Sequence, residues 1–253
     1  MLLPPHPAFI ALQFLTTIPV TLKAIPDDKD MGRSLLYYPL VGLLIGGILA
    51  AFAAGISSIS SPVVAPLVAA LTLALWVLLT GGLHLDGLAD SVDALIGGFD
   101  DRQKTLKIMK DPTSGPMGVT SLVLVLLVKF TALWLAFSTQ NWLGILIAPI
   151  LGRTALITLF LTTPYVRTGG LGALICKHMP KQTSLFVMVL ALAVTAAIAG
   201  INVVWILLAC AGLFVALRGL FLSRLGGTTG DSAGALVELT EMLTLVVMVF
   251  AGR

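Results

Sequence analysis

The stretch from Val63 to Asp93, VVAPLVAALTLALWVLLTGGLHLDGLADSVD, decides how this chain is read. Its first half is almost wholly apolar. Its second half, from Thr80 on, sets Asp86, Asp90 and Asp93 four and three residues apart, so that on a helix the three carboxylates share one face. Carboxylates are costly beside a bilayer and repel one another when gathered. The economical explanation is a divalent cation held among them at a membrane surface, and that points to an enzyme that handles phosphates.

Composition supports the membrane assignment. Of 253 residues, 58% are hydrophobic and only 11% charged, and the mean hydropathy of +1.04 is far outside the range of a water-soluble domain. The expected fold class is all-α, a polytopic integral membrane helical bundle forming a single domain over residues 1–253. A bilayer core demands roughly 20 apolar residues per crossing. Seven runs meet that demand, at about 35–55, 63–83, 118–137, 142–163, 184–199, 201–222 and 232–250. The run from Ala8 to Leu22 has only 15 residues and contains Pro19, so it is read as an N-terminal re-entrant or interfacial helix. The N-terminus has no basic segment or small-residue cleavage site, and we expect it to be retained.

The net charge of +3 does not indicate nucleic acid, because the basic residues are scattered over loops rather than clustered. Lys23, Lys29 and Arg33, then Arg102, Lys104, Lys107 and Lys110, then Arg167, Lys177 and Lys181, then Arg224 all fall on one side of the predicted bundle; the opposite loops carry no Lys or Arg. The positive-inside rule makes the charged side cytoplasmic and places the carboxylate motif there. Cys176 and Cys210 have neither the spacing of a metal or redox pair nor that of a disulfide framework.

Other residues extend the candidate site. Asp111, in Ile108-Met109-Lys110-Asp111-Pro112, supplies a fourth oxygen donor beside Asp86, Asp90 and Asp93, a set that suits magnesium. Gly226-Gly227-Thr228-Thr229-Gly230-Asp231 is a Gly-rich turn entering a helix, where backbone amides suit phosphate oxygens and Asp231 can bind metal or orient a hydroxyl. Its spacing repeats that of the first motif: Gly81, Gly82, Asp86 and Asp93 recur as Gly226, Gly227, Asp231 and Glu238, a recurrence we treat as spacing rather than descent. Lys129 and Arg153 lie inside predicted membrane segments, so they should face the bundle interior, neutralising either substrate phosphates or the acidic cluster. Arg33 and Arg167 stand at helix ends as candidate phosphate contacts, and His84 is a candidate base or ligand.

Together these motifs resemble the cobalamin synthase family, adenosylcobinamide-GDP ribazoletransferase. The resemblance covers nearly the whole chain: Phe14-Leu15-Thr16-Thr17-Ile18-Pro19-Val20, Gly32-Arg33-Ser34, Tyr38-Pro39-Leu40-Val41-Gly42, Thr80 to Asp93, Ile108 to Asp111 followed by Gly115 and Gly118, Arg167 with Gly170-Leu171-Gly172, and Gly226 to Asp231. It departs from the expected pattern at Pro112, where a small polar residue would follow Asp111. The resemblance implies that adenosylcobinamide-GDP reacts with α-ribazole 5′-phosphate, or α-ribazole, to give the cobalamin product and GMP with magnesium as cofactor. It also implies a bacterial or archaeal cytoplasmic membrane location, and it leaves association with other enzymes of the pathway and homo-oligomerisation open. On this reading Asp86, Asp90, Asp93 and Asp111 hold the metal. One of these carboxylates or His84 accepts the hydroxyl proton, and Lys129, Arg153 and Arg167 hold phosphates.

Two other classes fit parts of the pattern. A CDP-alcohol phosphotransferase also sets several Asp residues on helices at the cytoplasmic surface, but its Asp-Gly precedes an Ala-Arg pair, whereas Asp86-Gly87 leads into Leu88-Ala89-Asp90. A transporter would place its charges at the midplane rather than gather its acids at one face.

Overall fold

In the computed structural model the described residues are 2–58 and 62–251, and they fold almost entirely as helices. A short parallel pair, β1 (Leu2–Leu3) with β2 (Thr21–Leu22), brackets α1 (Pro7–Leu15). That helix has 9 residues, about 14 Å, too short to cross a bilayer. It packs against α2 (Asp28–Ser34) and α3 (Tyr38–Ser58). Then come α4 (Ala65–Thr80), α5 (Leu83–Gly97), α6 (Arg102–Ile108), α7 (Pro116–Ser138), α8 (Leu143–Thr162), α9 (Leu171–His178), α10 (Lys181–Ala199), α11 (Val203–Leu225) and α12 (Gly230–Ala251).

The buried centre is α8, packed between α3, α10 and α12. Its contact with α3 is close because Gly42 and Gly46 lie one helical turn apart against the α8 backbone at Pro149 and Leu146; a Cβ on Gly46 would sit 2.6 Å from the Leu146 carbonyl oxygen. Lipid tails are as apolar as the side chains they solvate, so backbone approach through small residues is what brings such helices together. The outward faces are correspondingly apolar: Leu124 and Leu127 on α7, Phe186 on α10, and Trp205, Leu208 and Val215 on α11 are all exposed.

By length and composition, five helical stretches among the described residues can cross a membrane, or six if the bent pair α4 and α5 counts as one. One of the five, Lys181–Leu225, has 45 residues, about 68 Å if it were straight. It instead reverses near Gly200, whose φ is +58°. Along α8, Leu151 belongs to an apolar cluster against which Leu192 and Leu207 pack, Thr158 meets Met188, and Thr162 and Thr163 meet Arg218. The α10 numbers fall as those of α11 rise, so these two helices form a hairpin.

The break between α4 and α5 is the feature that builds the site. Gly81 (φ +62°) and Gly82 (φ +70°) are consecutive left-handed residues, and their amides bond back to Leu78 and Val77 to close α4. Only glycine adopts that conformation without steric cost. The chain turns through 86°, and α5 runs across the axis of α4, against α7 and the start of α12.

Candidate active site

The two Gly-Gly turns do the same job on neighbouring helices. Gly226 (φ +74°) closes α11 as Gly81 closes α4, and each turn is followed by a helix with an Asp in its first turn, Asp86 on α5 and Asp231 on α12. These two helices pack closely: a Cβ on Gly87 would lie 2.8 Å from the Asp231 carbonyl oxygen, and one on Gly234 would lie 3.3 Å from the His84 backbone. Asp86 and Asp231 therefore line one cavity of about 140 Å³, together with His84, Phe14, Tyr38 and Phe160. Asp90, one turn along α5 from Asp86, is partly buried. Burial first, and then the neighbouring carboxylates Asp86, Asp231 and Asp93, push its pKa up to about 6, against the opposing pull of Arg167. Arg167 bonds Asp231 at 3.0 Å.

Asp93 has a different task. Its two oxygens accept the amides of Gly115 (2.6 Å) and Gly118 (2.8 Å), so it caps the N-terminus of α7 from a distance and is favoured there by the helix dipole. A Cβ on either glycine would fall against the carboxylate, which explains the Gly-x-x-Gly spacing after the loop. Asp111 is exposed, and its carboxylate accepts the amide and hydroxyl of Thr113, at 3.0 and 2.6 Å. The predicted quartet is thus regrouped, with Asp86, Asp90 and Asp231 together, Asp93 behind them as a cap, and Asp111 in its own turn.

Lys129 and Arg153 do face the interior, but carboxylates of α12 occupy both. Lys129 Nζ bonds Glu238 and Glu241 at 2.7 Å each and stands 4.4 Å over the Trp76 ring; Arg153 bonds the other oxygen of Glu241. All four charged groups are buried, and their charges cancel. Neither cation is left free for a substrate phosphate. The signal was present in the sequence: Glu238 and Glu241, three apart in an apolar segment, balance the two cations placed in other apolar segments.

Arg153 also reaches His84, with 3.5 Å from Nη2 to Nδ1. A guanidinium has only donors, so Nδ1 is the acceptor and a neutral ring carries its proton on Nε2. In that tautomer the ring presents Nε2–H as a donor.

Two further expectations change. Arg33 is exposed, pairs with Asp30 at 3.6 Å, and lines a separate cleft with Pro4, His6 and Tyr37. Gly226 and Gly227 do not offer a phosphate cradle. The amides of Gly226, Gly227 and Thr228 bond the Leu222, Phe221 and Pro164 carbonyls, and that of Thr229 bonds the Ser232 hydroxyl. Their role is to seat the turn against Pro164, beside Arg167.

On the far side of Asp231 lies a second cavity, of about 310 Å³, lined by Gln103, Lys107, Lys110, Arg167, Thr168 and Thr229 as well as Asp231 itself. Among the described residues no group of three or more His, Cys, Asp or Glu side chains is placed to hold a metal ion. Magnesium does not need one: it takes one or two carboxylates, keeps water and completes its shell with phosphate oxygens. Asp86 and Asp231, which line one cavity, are two carboxylates of that kind.

Comparison with known proteins agrees with the sequence motifs. The family described as CobS, cobalamin-5-phosphate synthase, matches residues 7–249. Among curated relatives, the adenosylcobinamide-GDP ribazoletransferase of Pseudomonas fluorescens (strain Pf0-1) is 54% identical over 240 residues, covering 95% of this chain and 97% of the relative. Those of Pseudomonas putida (strain W619) and Pseudomonas entomophila (strain L48) are 51% and 52% identical over 245 and 242 residues, covering 97% and 95% of this chain and 99% and 97% of theirs. No solved structure matches the chain. A match across almost the whole length makes this chain a member of the cobalamin-5-phosphate synthase family.

Proposed function

We propose that this protein transfers the adenosylcobinamide phosphate group from adenosylcobinamide-GDP to the ribose hydroxyl of α-ribazole 5′-phosphate, or of α-ribazole, releasing GMP. The observation that carries this reading, beside family membership, is the pairing of Asp86 and Asp231 across two helix starts, with Asp90 and Arg167 beside them. In the reaction the hydroxyl oxygen bonds to the phosphorus bearing the aminopropanol arm, the bridging P–O bond breaks towards GMP, and the hydroxyl proton passes to a carboxylate. Such transfers depend on positioning and charge neutralisation rather than on an enzyme nucleophile. Magnesium held by Asp86 and Asp231 would supply that neutralisation at the diphosphate.

The remaining tasks fall to the chain's own groups. Arg167, tethered by Asp231, is placed to hold a phosphate oxygen. His84, with its proton on Nε2, donates a hydrogen bond into the cavity. One of the Asp carboxylates accepts the hydroxyl proton in its stead. We place this face on the cytoplasmic side because the Lys- and Arg-bearing loops gather there: Arg224 pairs with Asp100, and His178 lies 3.5 Å from Asp28.

The test is GMP release by the detergent-purified protein supplied with both substrates, with magnesium or with a chelator. GMP matched by a corrinoid product, and abolished by the chelator, is the expected result. Folded protein that releases no GMP would overturn the assignment.

A further inference from the structure

The cavity of about 310 Å³ beyond Asp231 gathers charged and polar groups beside Leu106, Met109 and Val166. Three cations, Lys107 and Lys110 from α6 and the turn after it and Arg167 from the loop before α9, face one carboxylate, Asp231, with Gln103, Thr168 and Thr229 as neutral hydrogen-bonding groups. Its formal charge is therefore +2, three cations against one anion. Neither lysine makes an ion pair among the described residues, whereas Arg102, on the first turn of the same helix, lies against Gly226, and Lys104 stands over the Phe99 ring at 5.5 Å. The volume falls at the lower end of the range for organic-ligand sites, roughly 300–1,000 Å³. The neighbouring cavity of about 140 Å³ is too small for a nucleotide and is walled largely by Phe14, Tyr38, Leu156 and Phe160. Asp231 belongs to both walls.

From this we infer that the cleft of Lys107, Lys110 and Arg167 is a nucleoside monophosphate subsite, which presents the nucleotide's phosphate to the carboxylates at Asp231. The ammonium groups act as point charges on the phosphate, while Gln103, Thr168 and Thr229 satisfy polar edges of the nucleoside. Two substrates of the proposed reaction contain such a group, the guanylyl end of the donor and α-ribazole 5′-phosphate. Only the choice between them rests on the proposed transferase reaction; the binding chemistry does not.

Equilibrium binding of GMP to the intact detergent-purified protein, with no corrinoid present, tests the subsite directly. Binding that weakens about tenfold or more in Lys107→Gln and in Lys110→Gln, and little in Lys104→Gln, is the expected result. Steady-state KM values then separate the sources. A rise in KM confined to adenosylcobinamide-GDP assigns the cleft to the donor. A rise confined to α-ribazole 5′-phosphate and absent with α-ribazole assigns it to the acceptor. If GMP binds both variants as tightly as wild type and neither KM moves, the subsite does not exist. GMP binding that depends on the two lysines in a protein without transferase activity would retain the subsite and discard the proposed reaction instead.

Discussion

Replacing Glu241 with Gln removes the carboxylate that bridges Lys129 and Arg153 while keeping its shape. In the native interior two cations face two carboxylates, Glu238 and Glu241, and the sum is zero; in the variant it is +1. The Lys129 side chain is 3% exposed, that of Glu241 1% and that of Arg153 not at all, so water cannot screen the surplus charge. Removing one partner of a buried pair costs about 3–5 kcal/mol, which raises the unfolding constant by roughly two to four orders of magnitude. Lys129→Met makes the opposite error, a net charge of −1, and should cost a similar amount together with the contact to Trp76. The double variant is neutral again, with Arg153 facing Glu238. Its cost should fall short of the sum of the two singles by about 1–3 kcal/mol. Reversible unfolding in mixed micelles, followed by circular dichroism, measures all three. Single-variant losses below about 1 kcal/mol, or double-variant losses that simply add, would refute the network as a charge-balanced unit.

Other substitutions test the site piece by piece. Asp90→Asn should lower GMP release by about a hundredfold or more with the helical content intact, and near-normal turnover would remove Asp90 from the reaction centre. His84→Gln keeps a donor in the cavity, so a donor role for His84 predicts turnover within about tenfold of wild type; a loss of roughly 10²–10⁴ in kcat would instead mark His84 as the base. Gly118→Ala drives a methyl into the Asp93 carboxylate and the Ala89 carbonyl, and should destabilise by about 1–3 kcal/mol in a thermal melt. Arg33→Gln should leave both KM values within about twofold, since Arg33 lines a separate cleft; a marked rise in either would return it to the site.

The carboxylate motif and the second Gly-Gly-x-x-x-Asp turn were both legible as acid-bearing helix starts before any helix was placed. A left-handed glycine ends one helix, and an Asp five residues on stands in the first turn of the next; both are properties of residues adjacent in the chain. The regrouping of the acids was not legible. Asp93 bonds amides 22 and 25 residues away, Asp231 approaches Asp86 only because α12 lies along α5, and Asp111 spends its carboxylate on Thr113 two residues on. The free amides expected of the Gly226 turn were lost in the same way, because the Pro164 segment folds back onto them.

What the sequence determined by itself is the fold class, the helical segments and the kind of chemistry, because hydrophobic run length, backbone handedness and charge cost in lipid act locally. Tertiary structure alone decided which charge meets which. A Lys or Arg within an apolar segment signals only that some partner is required. Lys129 finds Glu238 and Glu241 109 and 112 residues later because glycine-mediated approach of α3 to α8, and the packing of α12 on α8, set the positions of helices that the lipid itself does not drive together.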